Sequence, residues 1–282
     1  MLGPRDLVLS SGAIENPPAE GLVDAASAGG YRGIALWPGA YHPSYRAGSD
    51  LYELRARCDA AGVVIHDLDA IVVWAGPDDP GPPYYEEALE REVHEMAATL
   101  GVEGVNLLLH SKPGTSLDAA SAAFAAACDR AAEHGLKVHL EFGRARAPAN
   151  IPEAARVVED AGRANGGLMI DAWHVHWGSG SFADLASLAG SRVTGVQLCD
   201  APAAEPPDYG WATRHQRVVP GKGAADLQDL LRNLRAIDCR APLCLEVFDT
   251  PRVERIGPVA WARALADSAR ALLAQEPARQ ER

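Results

Sequence analysis

Four short apolar runs each end on a group that can hold a proton or a metal ion. Lys137-Val138-His139-Leu140-Glu141-Phe142 carries Glu141, and Ile170-Asp171-Ala172-Trp173-His174 carries Asp171. Val196-Gln197-Leu198-Cys199-Asp200 carries Gln197, and Leu245-Glu246-Val247-Phe248 carries Glu246. Alternate side chains of a β-strand share a face, so His139 groups with Glu141, Met169 with Asp171, Gln197 with Cys199 and Cys244 with Glu246. If those faces meet, three carboxylates and one amide oxygen converge. Confined, desolvated carboxylates repel one another and take up protons unless a cation neutralises them. A divalent metal is therefore expected where they meet. Oxygen donors favour Mn2+, with Mg2+ or Co2+ as alternatives, over the sulfur-rich sets that select Zn2+, although zinc also accepts carboxylates. The plain reading of any one of these residues is an exposed acid at a strand end; four in successive strands argue against it.

The rest of the chain must bring these runs together. Apolar periodicity predicts strands at 6–14, 33–37, 63–70, 104–110, 137–142, 167–171, 193–200 and 241–248. Helices are predicted at 19–28, at 49–61 with Ser49 as N-cap, and at 84–100, 117–134, 151–161, 181–188, 224–237 and 253–275. Residues 76–83, dense in Pro, Gly and Asp, read as a loop, and 201–223 as a long connection. Strand-helix alternation without a linker fits the α/β class: a single (β/α)8 TIM barrel over residues 1–275, followed by a polar tail at 276–282. A doubly wound open sheet is the alternative, but no Gly-x-Gly-x-x-Gly or phosphate loop follows any strand. In such a barrel the active site occupies the C-terminal strand ends, where the four groups stand.

Composition narrows the partners. A formal charge of −12 over 282 residues argues against a nucleic-acid surface and for a small polyol or keto substrate. Five cysteines without a Cys-x-x-Cys pair suggest neither disulfides nor a zinc knuckle, which fits a reducing cytoplasm. The N-terminus shows no basic-then-apolar leader, and no stretch approaches the ~20 apolar residues of a membrane span. A cytoplasmic protein without a membrane partner is expected, and a homo-oligomer is compatible with the sequence.

Read in order, five segments form a recognisable set: Leu140-Glu141-Phe142, Asp171-Ala172-Trp173-His174, Val196-Gln197-Leu198-Cys199-Asp200, Arg217-Val218-Val219-Pro220-Gly221-Lys222-Gly223 and Leu245-Glu246-Val247-Phe248. With them the chain resembles the xylose isomerase-like TIM-barrel superfamily, the sugar phosphate isomerase/epimerase group of metal-dependent barrels. That group also includes inosose dehydratases, 3-dehydroshikimate dehydratases and, more distantly, endonuclease IV. The resemblance covers most of the chain and is strongest over 140–248. It implies that Glu141, Asp171, Gln197 and Glu246 are metal ligands, that His174 lies beside metal or substrate, and that Arg217 contacts a substrate oxygen. Gln197 is a departure, because many relatives have histidine there and an amide oxygen is a weaker, harder donor. Glutamine occurs there in some dehydratase-like members, which keeps a lyase in play.

The chemistry these groups suit is proton abstraction next to a carbonyl, with a carboxylate as base and a metal stabilising the enediolate. Returning the proton to the other face gives an epimer, and returning it to the neighbouring carbon gives an aldose-ketose isomer. Expelling a β-hydroxyl instead gives dehydration. The leading expectation is an isomerase or epimerase of a ketose, inosose or related polyol. A lyase of the 3-dehydroshikimate or inosose dehydratase kind comes second, ahead of an endonuclease IV-like nuclease or a non-catalytic binding barrel. Glu141 and Glu246 are the acid and base candidates and His174 a third, though each could be a ligand without a proton role. Arg217 could fork two substrate oxygens. His66, His110, Lys222 and the tryptophans Trp37, Trp74 and Trp173 complete the expected substrate lining. Tryptophans at strand ends would make that pocket more apolar than a phosphorylated sugar needs.

Overall fold

The computed structural model of the protein describes residues 2–38, 51–76, 87–112, 114–144 and 146–275. Eight parallel strands close into a barrel in chain order: β1 (Leu7–Ser10), β2 (Gly33–Leu36), β3 (Val64–Trp74), β4 (Gly104–His110), β5 (Lys137–Glu141), β6 (Gly166–Asp171), β7 (Val193–Leu198) and β8 (Leu243–Leu245). β8 pairs back onto β1, which leaves no sheet edge. Outside lie α1 (Ala19–Gly29), α2 (Leu51–Ala61), α3 (Glu87–Leu100), α4 (Leu117–Ala132), α5 (Ile151–Ala161), α6 (Ala172–His176), α7 (Tyr209–His215), α8 (Leu227–Ala236), α9 (Thr250–Ile256) and α10 (Pro258–Ala274). The (β/α)8 barrel expected from the strand-helix alternation is the observed fold.

Local signals account for the long helices. In α5 the buried residues Ile151, Ala154, Val157, Val158 and Ala161 recur at three- and four-residue spacing, so one stripe faces the sheet. Asn150 caps its start by accepting from the Glu153 N–H, and Gly162, at φ 64°, closes it in a left-handed turn. Pro258 lacks an N–H and Gly257 sits at φ 83°, so the single helix expected at 253–275 is broken into α9 and α10.

Other boundaries moved. β3 continues to Trp74, and residues 182–187 form a 3-10 turn. α6 and α7 were not anticipated; α7 lies inside the stretch read as connection, capped by Asp208 through the Trp211 N–H. Ser49, the loop beyond Gly76 and the tail 276–282 lie outside the described residues. No described helix is long and apolar enough to cross a membrane, and all five cysteines are free and buried.

Within the barrel, Val8, Ala35 and Cys244 pack with Leu2. His139, on β5 opposite Asn106 and Gly167, is also buried, and its Nδ1 lies 2.8 Å from Thr194 Oγ1. A Cβ at Gly104 would collide with the His139 ring, so only glycine fits there. His66 belongs to this end and not to the site: the charges that act on it are Lys137 and Glu103, at the starts of β5 and β4.

Burial, then the charges of His66 and Lys137, push His139 down to about 3, so it folds neutral. An unfolded histidine titrates near ~6.5, so between that pH and about 3 the unfolded chain binds more protons, and stability is lost as pH falls. The urea midpoint is expected to drop across this window, and His139→Gln to flatten that slope.

Candidate active site

The C-terminal ends of β5 to β8 gather the polar core of the molecule. Glu141 and Asp171 are the last residues of β5 and β6, Gln197 stands opposite Asp171 in register, and Glu246 follows β8 directly. All four are buried. Asp171 also caps α6: its Oδ1 accepts from the Trp173 N–H at 2.8 Å, which turns the chain back over the barrel. His174 is thereby returned to the strand ends, with Nε2 3.1 Å from Glu141 Oε1 and 3.5 Å from Asp171 Oδ2. Its Nδ1 lies 2.6 Å from Tyr209 Oη, which fixes the ring. Glu141, Asp171 and His174 offer donor atoms all within 4.8 Å of one another, the spacing a metal ion requires.

Two residues not singled out in the sequence tie this cluster together. Asp69, on β3, accepts from Asn106 Nδ2 at 2.7 Å and from Gln197 Nε2 at 2.7 Å. Asn106 Nδ2 also donates to Glu141 Oε2 at 2.5 Å. Fixing the Gln197 amide this way leaves its buried Oε1 without a hydrogen bond. Such an orphan acceptor costs roughly 1–3 kcal/mol, and a cation would satisfy it. The donor set of carboxylates, one imidazole and a free amide oxygen therefore fits a divalent metal.

Arg217 lies beneath, its side chain 2% exposed. Its Nη2 donates to Asp171 Oδ2 at 2.8 Å, and its Nη1 is 3.3 Å from Glu246 Oε2. Both ends of the fork thus hold carboxylates. Burial opposes its charge, but Asp171, Cys199 and Glu246 outweigh that and keep it cationic.

The two candidate proton carriers differ. Burial pushes Glu246 well above the usual carboxylate range, opposed by Arg217 and reinforced by Asp69, Asp171 and Glu141. Burial also acts on Glu141, but its hydrogen bond to His174, with Arg146 and Asn106, overcomes it and holds that carboxyl below its ordinary value. Asp69 is pushed up to about 7 by burial and by the charge of Glu141.

These groups open into a chamber of about 300 Å3. Trp37 forms part of its wall, edge-on to Phe248 at 5.3 Å. A Cβ on Gly12 would come within 2.5 Å of the Trp37 ring, so glycine lets that ring lie flat on the backbone. Trp173 stands behind the wall, fully buried, with Nε1 donating to Thr213 Oγ1 at 3.0 Å and its ring stacked on Tyr209. Trp74 pairs with His110 in register at the ends of β3 and β4; neither is among the described lining residues. His110 lies near enough to feel Arg146 and Glu141, and burial lowers it to about 4. Lys222 is exposed on the connection between α7 and α8. Beside Trp37, Leu108, Tyr209 and Phe248, the wall carries Arg144, Arg146, Arg214 and Arg217.

Asp200 holds the loop that carries Lys222. Its Oδ2 accepts from the N–H groups of Gly221 and Gly223 at 3.0 and 2.9 Å, and its Oδ1 from those of Ala201 and Ala225 at 2.8 and 2.9 Å. Asp200→Ala would strand these donors, with an expected loss of about 3 kcal/mol. Hydrogen exchange should show protection lost selectively over residues 217–225.

A closed eight-stranded barrel with buried acidic groups and an imidazole at its C-terminal rim has the architecture in which such barrels carry metal-assisted chemistry. The chain belongs to the xylose isomerase-like TIM barrel family, whose model matches residues 23–274. A 3-dehydroshikimate dehydratase of Pseudomonas aeruginosa is 35% identical over 122 residues, 43% of this chain and 19% of that protein. An inosose isomerase of Bacillus velezensis is 29% identical over 190 residues, 64% of this chain and 66% of that protein. The chain thus spans only part of the curated relatives it matches, and these relatives are enzymes of the isomerase and dehydratase types. The solved structure of the IolI protein with a bound zinc atom shares the fold, with a TM-score of 0.80 at 21% identity over 95% of this chain and 97% of that one.

Tyr209 and Arg146 escaped the sequence reading along with Asp69 and Asn106. Asp208 three residues before Trp211 is an N-cap pattern that could have revealed α7 and with it Tyr209. Asp67 and Asp69 alternate on one strand face, a pattern that could have flagged β3. For Arg146, on the loop after β5, the sequence holds no comparable signal.

Proposed function

We propose that the protein is a divalent-metal-dependent isomerase or epimerase, its catalytic unit spanning residues 1–275, that moves a proton at a carbon next to the carbonyl of a ketose, inosose or related polyol. The observation that carries this reading is the buried Glu141, Asp171 and His174 cluster, with donor atoms all within 4.8 Å. Glu141, Asp171, Gln197 through Oε1, and Glu246 would hold the ion, with His174 beside it. The oxygen-rich set suits Mn2+ and admits Mg2+, Co2+ or Zn2+. A bound divalent cation supplies Lewis-acid stabilisation of negative charge developing on a substrate oxygen.

The proton chemistry belongs to the carboxylates. Glu141 takes the proton as base and Glu246 returns one as acid; before an ion binds, His174 and Asn106 favour the ionised form of Glu141 while burial favours the protonated form of Glu246, a difference that divides the two roles. Arg217 acts as a positioning residue, fixing Asp171 and Glu246 from below. Trp37 and Phe248 exclude water from one side of the chamber.

A second reading is dehydration. A protonated Glu246 could give its proton to a departing β-hydroxyl, and one curated relative is a 3-dehydroshikimate dehydratase. Incubation in deuterated water with ketoses, inososes and 3-dehydroshikimate, followed by mass spectrometry, separates the two. Deuterium in a product of unchanged composition supports the isomerase; loss of water supports the lyase; neither, with any substrate, defeats both.

Metal analysis of protein purified without chelator is expected to find one divalent ion per chain. Gln197→Ala should weaken that binding at least about tenfold, measured by competition with a chromophoric chelator.

A further inference from the structure

We infer that a second cavity, next to the chamber, is a subsite for a second hydroxylated ring, so that the substrate is a two-ring ketose or polyol with its carbonyl-bearing ring in the chamber. The cavity measures about 460 Å3, and its lining includes Arg144, His176, Trp177, Ser179 and Glu205. These come from the loop after β5, the end of α6 and the connection after β7, so they extend the same strand ends that supply Glu141, Asp171 and Gln197. Arg144 belongs to both walls, and the two spaces adjoin across that one side chain. Its guanidinium lies over the Tyr209 ring at 5.4 Å, and Tyr209 Oη is 2.6 Å from His174 Nδ1. A molecule seated in the chamber enters the second cavity by extending past Arg144.

The lining selects a neutral, hydroxylated occupant. Arg144 and Glu205 are paired, which cancels their charges, and burial lowers His176 below its ordinary value and keeps the ring neutral. An anion would have to break that pair. Trp177 stands edge-on to His176 at 4.5 Å and to the buried Trp173 at 6.0 Å, which fixes its ring. Its buried Nε1 has no hydrogen-bond partner among the described residues. Ser179 Oγ accepts from Asn150 Nδ2 at 3.0 Å, which leaves its hydroxyl hydrogen to donate elsewhere. Donors beside aromatic rings suit a sugar ring, whose C–H faces are apolar and whose edge is polar. A guanidinium and a carboxylate can each take two neighbouring hydroxyls of that edge. The chamber of about 300 Å3 has room for one functionalised ring, so a second ring must lie beyond it. This deepens the proposed function and rests on the chamber being the reaction site.

The test is calorimetric titration of the protein as purified with fructose and with lactulose, isomaltulose and turanose, three fructose derivatives that carry a second ring. At least one two-ring ketose should bind at least about tenfold more tightly than fructose. Trp177→Phe, which keeps a ring and removes the N–H, and Ser179→Ala should each cut that ratio about threefold. Circular dichroism confirms that the variants fold. No preference for any two-ring ketose, no binding of any of them, a preference that survives both variants, or tighter binding of glucose 6-phosphate than of every two-ring ketose would each overturn the inference. Deuterium incorporation from deuterated water, followed on the same samples, keeps the two readings apart. Exchange into fructose without a two-ring preference sinks the subsite alone, and a two-ring preference without exchange sinks only the proton-transfer reading.

Discussion

Replacing Glu141 by glutamine is expected to lower turnover by about 10^3-fold or more while the protein keeps its fold. Glutamine preserves the volume and one oxygen of the side chain, and Asn106 and His174 remain in place to orient it. What is lost is the ability to accept a proton. Solvent deuterium incorporation is the direct readout, because it reports proton abstraction even when the overall conversion is reversible. Metal content should fall much less than activity, since an amide oxygen can still serve as donor. Exchange at the wild-type rate in Glu141→Gln would remove this residue from the proton path and leave Glu246 or His174 as base.

The largest effect on stability is expected at Arg217. Arg217→Met would remove a buried guanidinium from between Asp171 and Glu246, leaving the buried Asp171 carboxylate without its cation. Breaking a buried pair from one side costs about 3–5 kcal/mol, because the surviving charge has no water to replace its partner. Urea unfolding at pH 7 measures this loss. The deficit should shrink as pH falls: unpaired carboxylates have raised folded-state pKa values, so protonation removes the penalty and the folded state gains protons relative to the unfolded one. Adding Asp171→Asn should recover part of the loss at pH 7. A loss under about 1 kcal/mol would mean that the ion pairs contribute little.

The barrel was legible because its evidence is repetitive. Each strand is a short apolar run and each helix a stripe with a cap, so errors of a few residues at Ser10, Trp74 or Gly257 leave the alternation intact. Glu141, Asp171, Gln197 and Glu246 were legible for a related reason: an acid or amide on the inward face of a strand end has few places to go. Asp69 was harder to see. β3 shifts register against β4 between Leu68 and Ile71, so the simple alternation that locates strand ends does not single it out. Trp173 shows the opposite limit. Its position just after β6 suggested a pocket wall, but the turn of α6 that returns His174 to the strand ends carries the indole to Thr213. Residues contributed by loops and short helices, Arg146 and Tyr209 among them, depend on chain paths that strand and helix periods do not encode.

The way Asp200 is satisfied bears on how this scaffold can diversify. All four of its partners are main-chain N–H groups, at positions 201, 221, 223 and 225. Such a clasp recognises backbone shape and is blind to side-chain identity, apart from the left-handed turn at Gly221, at φ 76°, and the room it needs at Gly223, where a Cβ would collide with Asp200 and the Ala201 carbonyl. The segment it closes also carries Tyr209, which fixes His174, and Arg217, which holds Asp171 and Glu246, so only the stretch ahead of α7 can be exchanged without rebuilding the site. Loop grafting between Ala201 and Asp208 is accordingly a natural route to new substrate preferences on an unchanged barrel.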